Sequence, residues 1–425
     1  MRSDYSALYA QCDHLLRKIK IARRFDLPDF HRAMEGLFQQ WGFRTTKETT
    51  SILVLRLDVG GDNILTTPLL RELRKNHPKA RITFVTSPAA YSLMELCPYA
   101  DEVLCLRPPS LKQDTLHALQ ELLQFSKDHL WEHRCDICIL PQWPSPKLIS
   151  SRMLALISGA RERWGYSDTV QKLYLPLKIS PTDELHLLNH AISHPPEIIH
   201  EADRNLYLLE AMDMSVTERH TELWTSSQDR QKAKEIFAPL RRAPGNIIIT
   251  LSTGAGDDSR KYPVKQWLEA MKEIHLSGGR FILIGGPSET EDGKFLEEHL
   301  PKDALLNLTG QTSLRESVAV IAESDLFMGN DSGMMHAAAA CWRPIIAIYR
   351  EAMDKEPVAT GVLSEFRRFE PYMANYIALR PEHALGDCRK VLCYGGCQSL
   401  EAHCIRQVNP KEIIEAFHMI THDRR

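Results

Sequence analysis

The residue types and spacing that bear most directly on chemistry fall in Phe327-Met328-Gly329-Asn330-Asp331-Ser332-Gly333-Met334-Met335-His336, followed by alanines through Ala340. Leu326-Phe327-Met328 is a short apolar run and reads as a buried strand. Ala319 to Asp325 before it has a helical pattern, and the small residues after Gly333 read as a helix. Gly329 and Gly333 let the backbone turn sharply and approach a ligand closely. Asp331 or Ser332 can cap the helix. The free amides and positive dipole end of such a helix seat a phosphate well, although the same residues would also suit a plain capped helix in any α/β protein.

Two other stretches carry candidate chemistry. Ile52-Leu53-Val54-Leu55 reads as a strand, Arg56 to Asn63 as a glycine-bearing loop, and Ile64 to Asn76 as a helix with Leu65, Leu69, Leu70 and Leu73 on one side. With the strand Arg81 to Val85 this makes a βαβ unit. The loop is not G-x-G-x-x-G, so it gives no dinucleotide fingerprint. Asp62 within it is either the cap of the following helix or a carboxylate at the carboxyl end of the first strand, where ligands of open α/β sheets gather. In the tail, Cys388, Cys393, Cys397 and Cys404 flank Gly395 and Gly396. Thiols so spaced suit a structural zinc or iron, and free thiols or disulfides fit the same residues. Cys135 and Cys138, with C-x-x-C spacing on a predicted strand, point to opposite faces and read as structural.

Elements of an α/β protein position these residues. A chain of 425 residues, with 43% hydrophobic and 25% charged residues, is long enough for two or more domains with their own cores. The net charge of −3 gives no argument for nucleic acid. No apolar run approaches the roughly eighteen residues of a membrane span, and Met1 to Tyr5 leads into no signal-type apolar core. The expectation is a cytoplasmic protein. Residues 1–48 stand apart as a helical extension. Leu15, Leu16, Ile19 and Ile21 alternate with basic residues, Pro28 breaks the pattern, and Phe30, Met34, Leu37 and Phe38 restart it. This predicts two short amphipathic helices, either packed on the main body or a partner subunit, or resting as a basic face on an anionic membrane.

Further strands are predicted at Val103–Leu106 and Ile137–Leu140, with a leucine-rich helix from Leu116 to Leu130 between them. His200 and Arg204 form a helix-start cluster, or could meet an anionic substrate. A charged helix and the sequence Arg241 to Gly245 suggest an interdomain linker. A second array follows: strand Asn246 to Leu251, the loop Ser252-Thr253-Gly254-Ala255-Gly256, Arg260 and Lys261, strand Phe281 to Ile284, the turn Gly285 to Glu289, Leu305 to Leu308, and Thr309 to Ser313 capping a helix from Leu314.

Taken in order, Arg56 to Pro68, Arg260-Lys261-Tyr262-Pro263, Gly285-Gly286-Pro287-Ser288-Glu289, Gly310-Gln311-Thr312-Ser313-Leu314 and Asn330 to His336 resemble glycosyltransferase family 9, the heptosyltransferases that build the inner core of bacterial lipopolysaccharide. The resemblance covers roughly residues 51–415. It implies the GT-B fold, two Rossmann-like domains facing across a cleft. Residues 49–240 would form the N-terminal acceptor domain and 241–387 the nucleotide-sugar domain. Residues 388–425 would hold the cysteine-rich segment and a C-terminal helix crossing back to the first domain. By the same resemblance Asp62 is the catalytic base. Ser252, Thr253, Arg260 or Lys261, Asp331, Ser332 and Gly333 meet the diphosphate, with His336 beside it or merely orienting the turn. Glu289 meets the ribose and Thr312 the adenine. The implied partners are ADP-heptose or a related nucleotide sugar and a glycolipid acceptor, with a protein acceptor such as an autotransporter as the alternative. No cofactor is needed for catalysis. The enzyme would be inverting and would work at the inner face of the cytoplasmic membrane. A non-catalytic nucleotide-sugar-binding protein is the rival reading, and Asp62 argues against it, since a pure binder needs no base.

Overall fold

The computed structural model describes residues 4–21, 27–43, 50–110, 114–142, 148–167, 187–195, 197–240, 245–355, 364–385 and 403–422. Its internal contacts divide the chain into two units. The first comprises Met1–Ile198 and Arg204–Arg219, the second Ile199–Asp203 and His220–Arg425.

The first unit is built on strands β1 (Ser51–Arg56), β2 (Arg81–Thr86), β3 (Glu102–Cys105), β4 (Ile137–Leu140), β5 (Glu162–Tyr166) and β6 (His190–Ile192). Their order is β3-β2-β1-β4-β5-β6, and each pairing is parallel. The second unit has β7 (Ile247–Ser252), β8 (Gly279–Ile284), β9 (Leu305–Asn307), β10 (Leu326–Asn330), β11 (Ile345–Ile348) and β12 (Tyr376–Leu379). Here the order is β12-β11-β10-β7-β8-β9, again parallel throughout. Counted from its own first strand, each sheet has the same doubly wound order, so each unit is Rossmann-like. The central strands β1 and β10 are buried at every position. A strand covered by helices on both faces must read as a continuous apolar run, and these do.

The sequence reading placed the central strands and missed β5, β6 and β12. Glu162-Arg163-Trp164-Gly165-Tyr166 carries too many polar groups to read as buried, and β6 and β12 are only partly covered. The predicted helix Ile64 to Asn76 is broken. A short helix Gly60–Ile64 is followed by Thr67–Asn76, with Pro68 in the first turn of the second. Proline has no amide to continue the first helix and suits the start of the next. The C-terminal helix Pro410–His422 packs within the second unit. Its Ile413, Ala416, Phe417 and Ile420 join Trp267 and Met271 in the core of the second unit, and Tyr262 Oη donates to the Val408 carbonyl just before it. Among the described residues no helix is long and apolar enough to cross a membrane.

The predicted amphipathic helices form, as Ser6–Ile21 and Leu27–Gln40. Their apolar stripe is Tyr5, Leu8, Cys12 and Leu16 on one and Phe30, Met34 and Phe38 on the other, and all of it lies in the core of the first unit. Tyr5, Phe38 and Phe43 surround the Trp131 ring at 5.9 to 6.4 Å, and Trp131 Nε1 donates to the Ile157 carbonyl. The stripe therefore serves packing rather than a bilayer. Phe38→Ala is expected to lower the stability of the first unit by about 3–5 kcal/mol, read by chemical denaturation followed through tryptophan fluorescence. An unchanged transition would show the helices are not part of that core.

Candidate functional site

In each unit the chemistry-bearing side chains collect at the carboxyl ends of neighbouring strands. In the first unit these are β1 and β4. Arg56 closes β1 and is completely buried. Its Nη2 donates to Asp62 Oδ1 at 3.0 Å, and its Nε lies 3.0 Å from Asp58 Oδ2. Nη1 donates to the Pro141 carbonyl after β4 at 3.0 Å and to Asn205 Oδ1 at 3.2 Å. Asp58 Oδ1 receives Gln142 Nε2 at 2.8 Å. The loop itself is stiffened by Asn63, whose Nδ2 donates to the Asp58 and Val59 carbonyls and whose Oδ1 accepts from Thr86. Asp62 is not a helix cap, because Val59 holds the cap position and Asp62 lies in the first turn. Its side chain is 20% exposed, so a carboxylate is presented on a short helix with a buried cation behind it.

In the second unit the residues assigned to a donor share the carboxyl edge of β9, β8, β7 and β10, which are neighbours in that order. Ser252 ends β7 opposite Gly329 of β10, and Thr253 follows it; both are buried. Asn330 at the end of β10 fastens two loops, since Nδ2 donates to the Thr253 carbonyl at 2.7 Å and Oδ1 accepts the Tyr262 amide at 3.2 Å. Ser332 occupies the cap position of the helix Gly333–Ala340, but its hydroxyl makes no capping bond. Its buried Oγ has no hydrogen-bond partner, and neither has His336 Nδ1. The first amides of a helix lack intrahelical partners. Donors and orphaned polar atoms therefore converge at this terminus.

The structure separates the roles of the two adjacent cations. Arg260 Nη1 lies 3.3 Å from Asp331 Oδ2 and Nη2 lies 3.5 Å from Glu365 Oε1, which places Arg260 at the helix terminus. Lys261 Nζ lies 3.0 Å from Asp258 and 3.7 Å from Glu289 Oε1, so it belongs to the turn after β8. Glu289 is buried there, with Oε2 accepting the Gly286 amide at 2.9 Å. A Cβ at Gly254 would come within 3.0 Å of Glu289 Cδ, and one at Gly285 within 2.9 Å of Glu289 Cβ; the absence of side chains there is what lets the acid reach the edge of the sheet. Thr312 follows β9, half-buried, with Oγ1 2.9 Å from Ser317 Oγ.

Arg260 is itself held in a buried charge network. Arg350 Nη2 donates to both oxygens of Glu365, at 3.2 and 3.1 Å. Arg350 also donates to Ser259 and lies 3.4 Å from Asp257. Burial pushes the Asp331 carboxyl up to about 6, with Arg260 pulling it down and Glu365 pushing further up. Burial, with the nearby His200 and Arg260, pushes the His336 imidazole down to about 3. His336 is thus a neutral hydrogen-bonding group rather than a cation at neutral pH.

Arg56, Asp58, Gln142, Asn330, Arg350 and Glu365 were not singled out from the sequence. A signal existed for Arg56 and Asn330, since each is a polar residue closing an otherwise apolar strand. Glu365 and Arg350 lie on separate segments and only the fold brings them to Arg260. His200 does not reach for a ligand: its Nε2 pairs with the Glu370 carbonyl and its ring stacks on Tyr372. Arg204 is likewise occupied, donating to the Pro141 carbonyl and lying over the Tyr166 ring. Cys135 and Cys138 are buried free thiols in the core of the first unit, as a structural role requires. Of the tail cysteines, Cys404 is buried and its Sγ accepts the Leu385 amide; Cys388, Cys393 and Cys397 lie outside the described residues. Among the described residues no group of three or more His, Cys, Asp or Glu is arranged to hold a metal.

The depressed His336 sets a pH dependence. Below the ordinary histidine value of 6.5 the unfolded chain binds a proton that the folded protein refuses down to about 3. Stability is therefore lost as pH falls through that window. His336→Asn is expected to cut the loss between about pH 7.5 and 4.5 by about 2–3 kcal/mol, measured by denaturation at the two pH values; identical losses in both proteins would show that His336 protonates freely.

Comparison with known proteins agrees with this architecture. The chain is 28% identical over 165 residues to lipopolysaccharide heptosyltransferase 2 of Salmonella typhimurium, an alignment spanning 38% of this chain and 43% of that relative. It is 21% identical over 311 residues to a putative glycosyltransferase of Haemophilus influenzae, spanning 72% of this chain and 84% of the relative. A family 9 glycosyltransferase from Veillonella parvula superposes with a TM-score of 0.67 at 20% identity, covering 89% of this chain and 99% of its own. ADP-heptose lipopolysaccharide heptosyltransferase II of Escherichia coli gives 0.64 at 19% identity, covering 88% and 99%. These structures share the fold. Residues 136–393, more than half of the chain, match the family model of glycosyltransferase family 9 (heptosyltransferase), and the chain belongs to that family.

Proposed function

We propose that the protein transfers a heptose from ADP-heptose to a hydroxyl of the lipopolysaccharide inner core in a single inverting displacement. The observation that carries the reading is the helix terminus at Ser332 and Gly333, where free amides, two orphaned polar atoms and Arg260 converge on the carboxyl edge of β7 and β10. This is the chemistry a diphosphate needs: preorganised donors and a cation where negative charge develops as the nucleoside diphosphate departs. Ser252 and Thr253 line the same edge. Lys261 and Glu289, one turn away, suit the ribose side of the nucleotide. In the first unit Asp62 takes the proton of the acceptor hydroxyl, a poor nucleophile at neutral pH, as attack proceeds. The Salmonella relative, a lipopolysaccharide heptosyltransferase, supports heptose as the sugar and lipopolysaccharide as the acceptor.

Purified enzyme incubated with ADP-heptose and a core glycolipid is expected to release ADP and give a product whose new anomeric centre is opposite to that of the donor, read by NMR. Other nucleotide sugars should be poor donors. Transfer only to a protein hydroxyl would replace the acceptor, and retention of configuration would end the single-displacement reading. Asp62→Asn should lose about 10²–10⁴-fold in kcat while ADP still raises the melting temperature. Turnover like wild type would remove Asp62 from the base role.

A further inference from the structure

We propose that Arg56 is a positioning residue, holding the Asp62 carboxylate in place through a guanidinium fork that it shares with Asp58. The inference rests on the reading of Asp62 as proton acceptor. Arg56 is wholly buried at the last position of β1. A guanidinium without water must find compensation inside the protein, and this one has hydrogen-bond partners on both terminal nitrogens and a carboxylate 3.0 Å from Nε. Nη2 holds Asp62, Nε lies against Asp58, and Nη1 reaches the end of β4 and Asn205. A planar fork can meet such widely separated partners at once; a lysine ammonium, a point charge on a flexible stem, cannot hold all of them.

The two carboxylates are not equivalent. Asp58 is fastened into the fold, because its other oxygen takes Gln142 Nε2, whose own Oε1 accepts from Ser151 Oγ at 2.6 Å. Its side chain is 13% exposed, against 20% for Asp62. Asp58 thus anchors the fork and Asp62 is the carboxylate it presents. Among the described residues, Arg56 pairs with both Asp62 and Asp58, and Arg204 donates to the same Pro141 carbonyl that Arg56 uses. Arg56 is thus shared between two acids. Removing the cation must therefore raise the pH at which Asp62 becomes ionised, and removing the competing acid must lower it. A residue with a merely structural role would produce neither displacement.

The test compares full-length wild type with Arg56→Gln, Arg56→Lys and Asp58→Asn. Transfer from ADP-heptose is followed as a function of pH, and ADP-induced thermal protection reports a folded donor half. Arg56→Gln is expected to lose roughly a hundredfold in kcat with the donor KM within about twofold, and its acid limb should move up by about one pH unit. Asp58→Asn should move the same limb down. Arg56→Lys should fall between wild type and Arg56→Gln. If Arg56→Gln does not fold, the downward limb of Asp58→Asn carries the test. Coincident limbs in the folded variants, or wild-type kcat in Arg56→Lys, overturn the inference while leaving the proton-acceptor reading intact. Wild-type turnover by Asp62→Asn, by contrast, removes that reading and this inference with it.

Discussion

Parallel strands cannot be joined by hairpins. Each connection must cross a face of the sheet, and in a doubly wound sheet the crossovers leave in opposite directions on either side of the first strand. At that point the loops after two neighbouring strands diverge and leave polar backbone uncovered at one edge. Both units obey this constraint, between β1 and β4 in one and between β7 and β10 in the other. Asp62 and Arg56 occupy the first of these points; Ser252, Asn330 and the helix Gly333–Ala340 occupy the second. The same topology thus yields a carboxylate presented on a short helix in one unit and an open helix terminus in the other. The difference lies in the side chains placed at the edge.

Charge placed at these edges is expensive because the edges are nearly dry. The protein meets that cost with arginines whose forks are shared among acids. Arg56 serves Asp58 and Asp62; Arg260 serves Asp331 and Glu365; Arg350 serves Glu365 and Asp257. Such pairs add little to net stability, since desolvation offsets their attraction. What they supply is position. Arg260 is fixed beside a helix terminus by its two acids. His336, kept neutral by its burial, adds a hydrogen-bonding nitrogen to this terminus without adding another cation.

The N-terminal helices belong to the same economy of burial. Their aromatic and aliphatic positions close around Trp131 beside the first sheet. A sheet with one face under-covered would expose strand residues such as Leu53 and Leu55, which are buried in that same cluster. The extension is thus part of the first unit's core.

Much of this was legible in the linear chain. Continuous apolar runs such as Ile52–Leu55 and Ile345–Ile348 announce buried segments, and their short length and isoleucine and valine content favour parallel strands over helices. Gly329 to Gly333 announces a tight polar turn, because glycine and short polar residues suit little else. The family motifs, in order, carry the rest of the fold. Edge strands such as His190–Ile192 and Tyr376–Leu379 were not legible, since a half-covered strand need not be apolar. Nor was the division of labour between Arg260 and Lys261: adjacent residues look interchangeable until the fold turns one toward Asp331 and the other toward Glu289. The fork of Arg56 was hidden for the same reason. Its partners Pro141 and Asn205 lie 85 and 149 residues away. Local sequence determines which segments can form strands, turns and caps, because those depend on neighbours a few residues apart; which charges meet is decided only when distant segments are brought into a common low-dielectric interior.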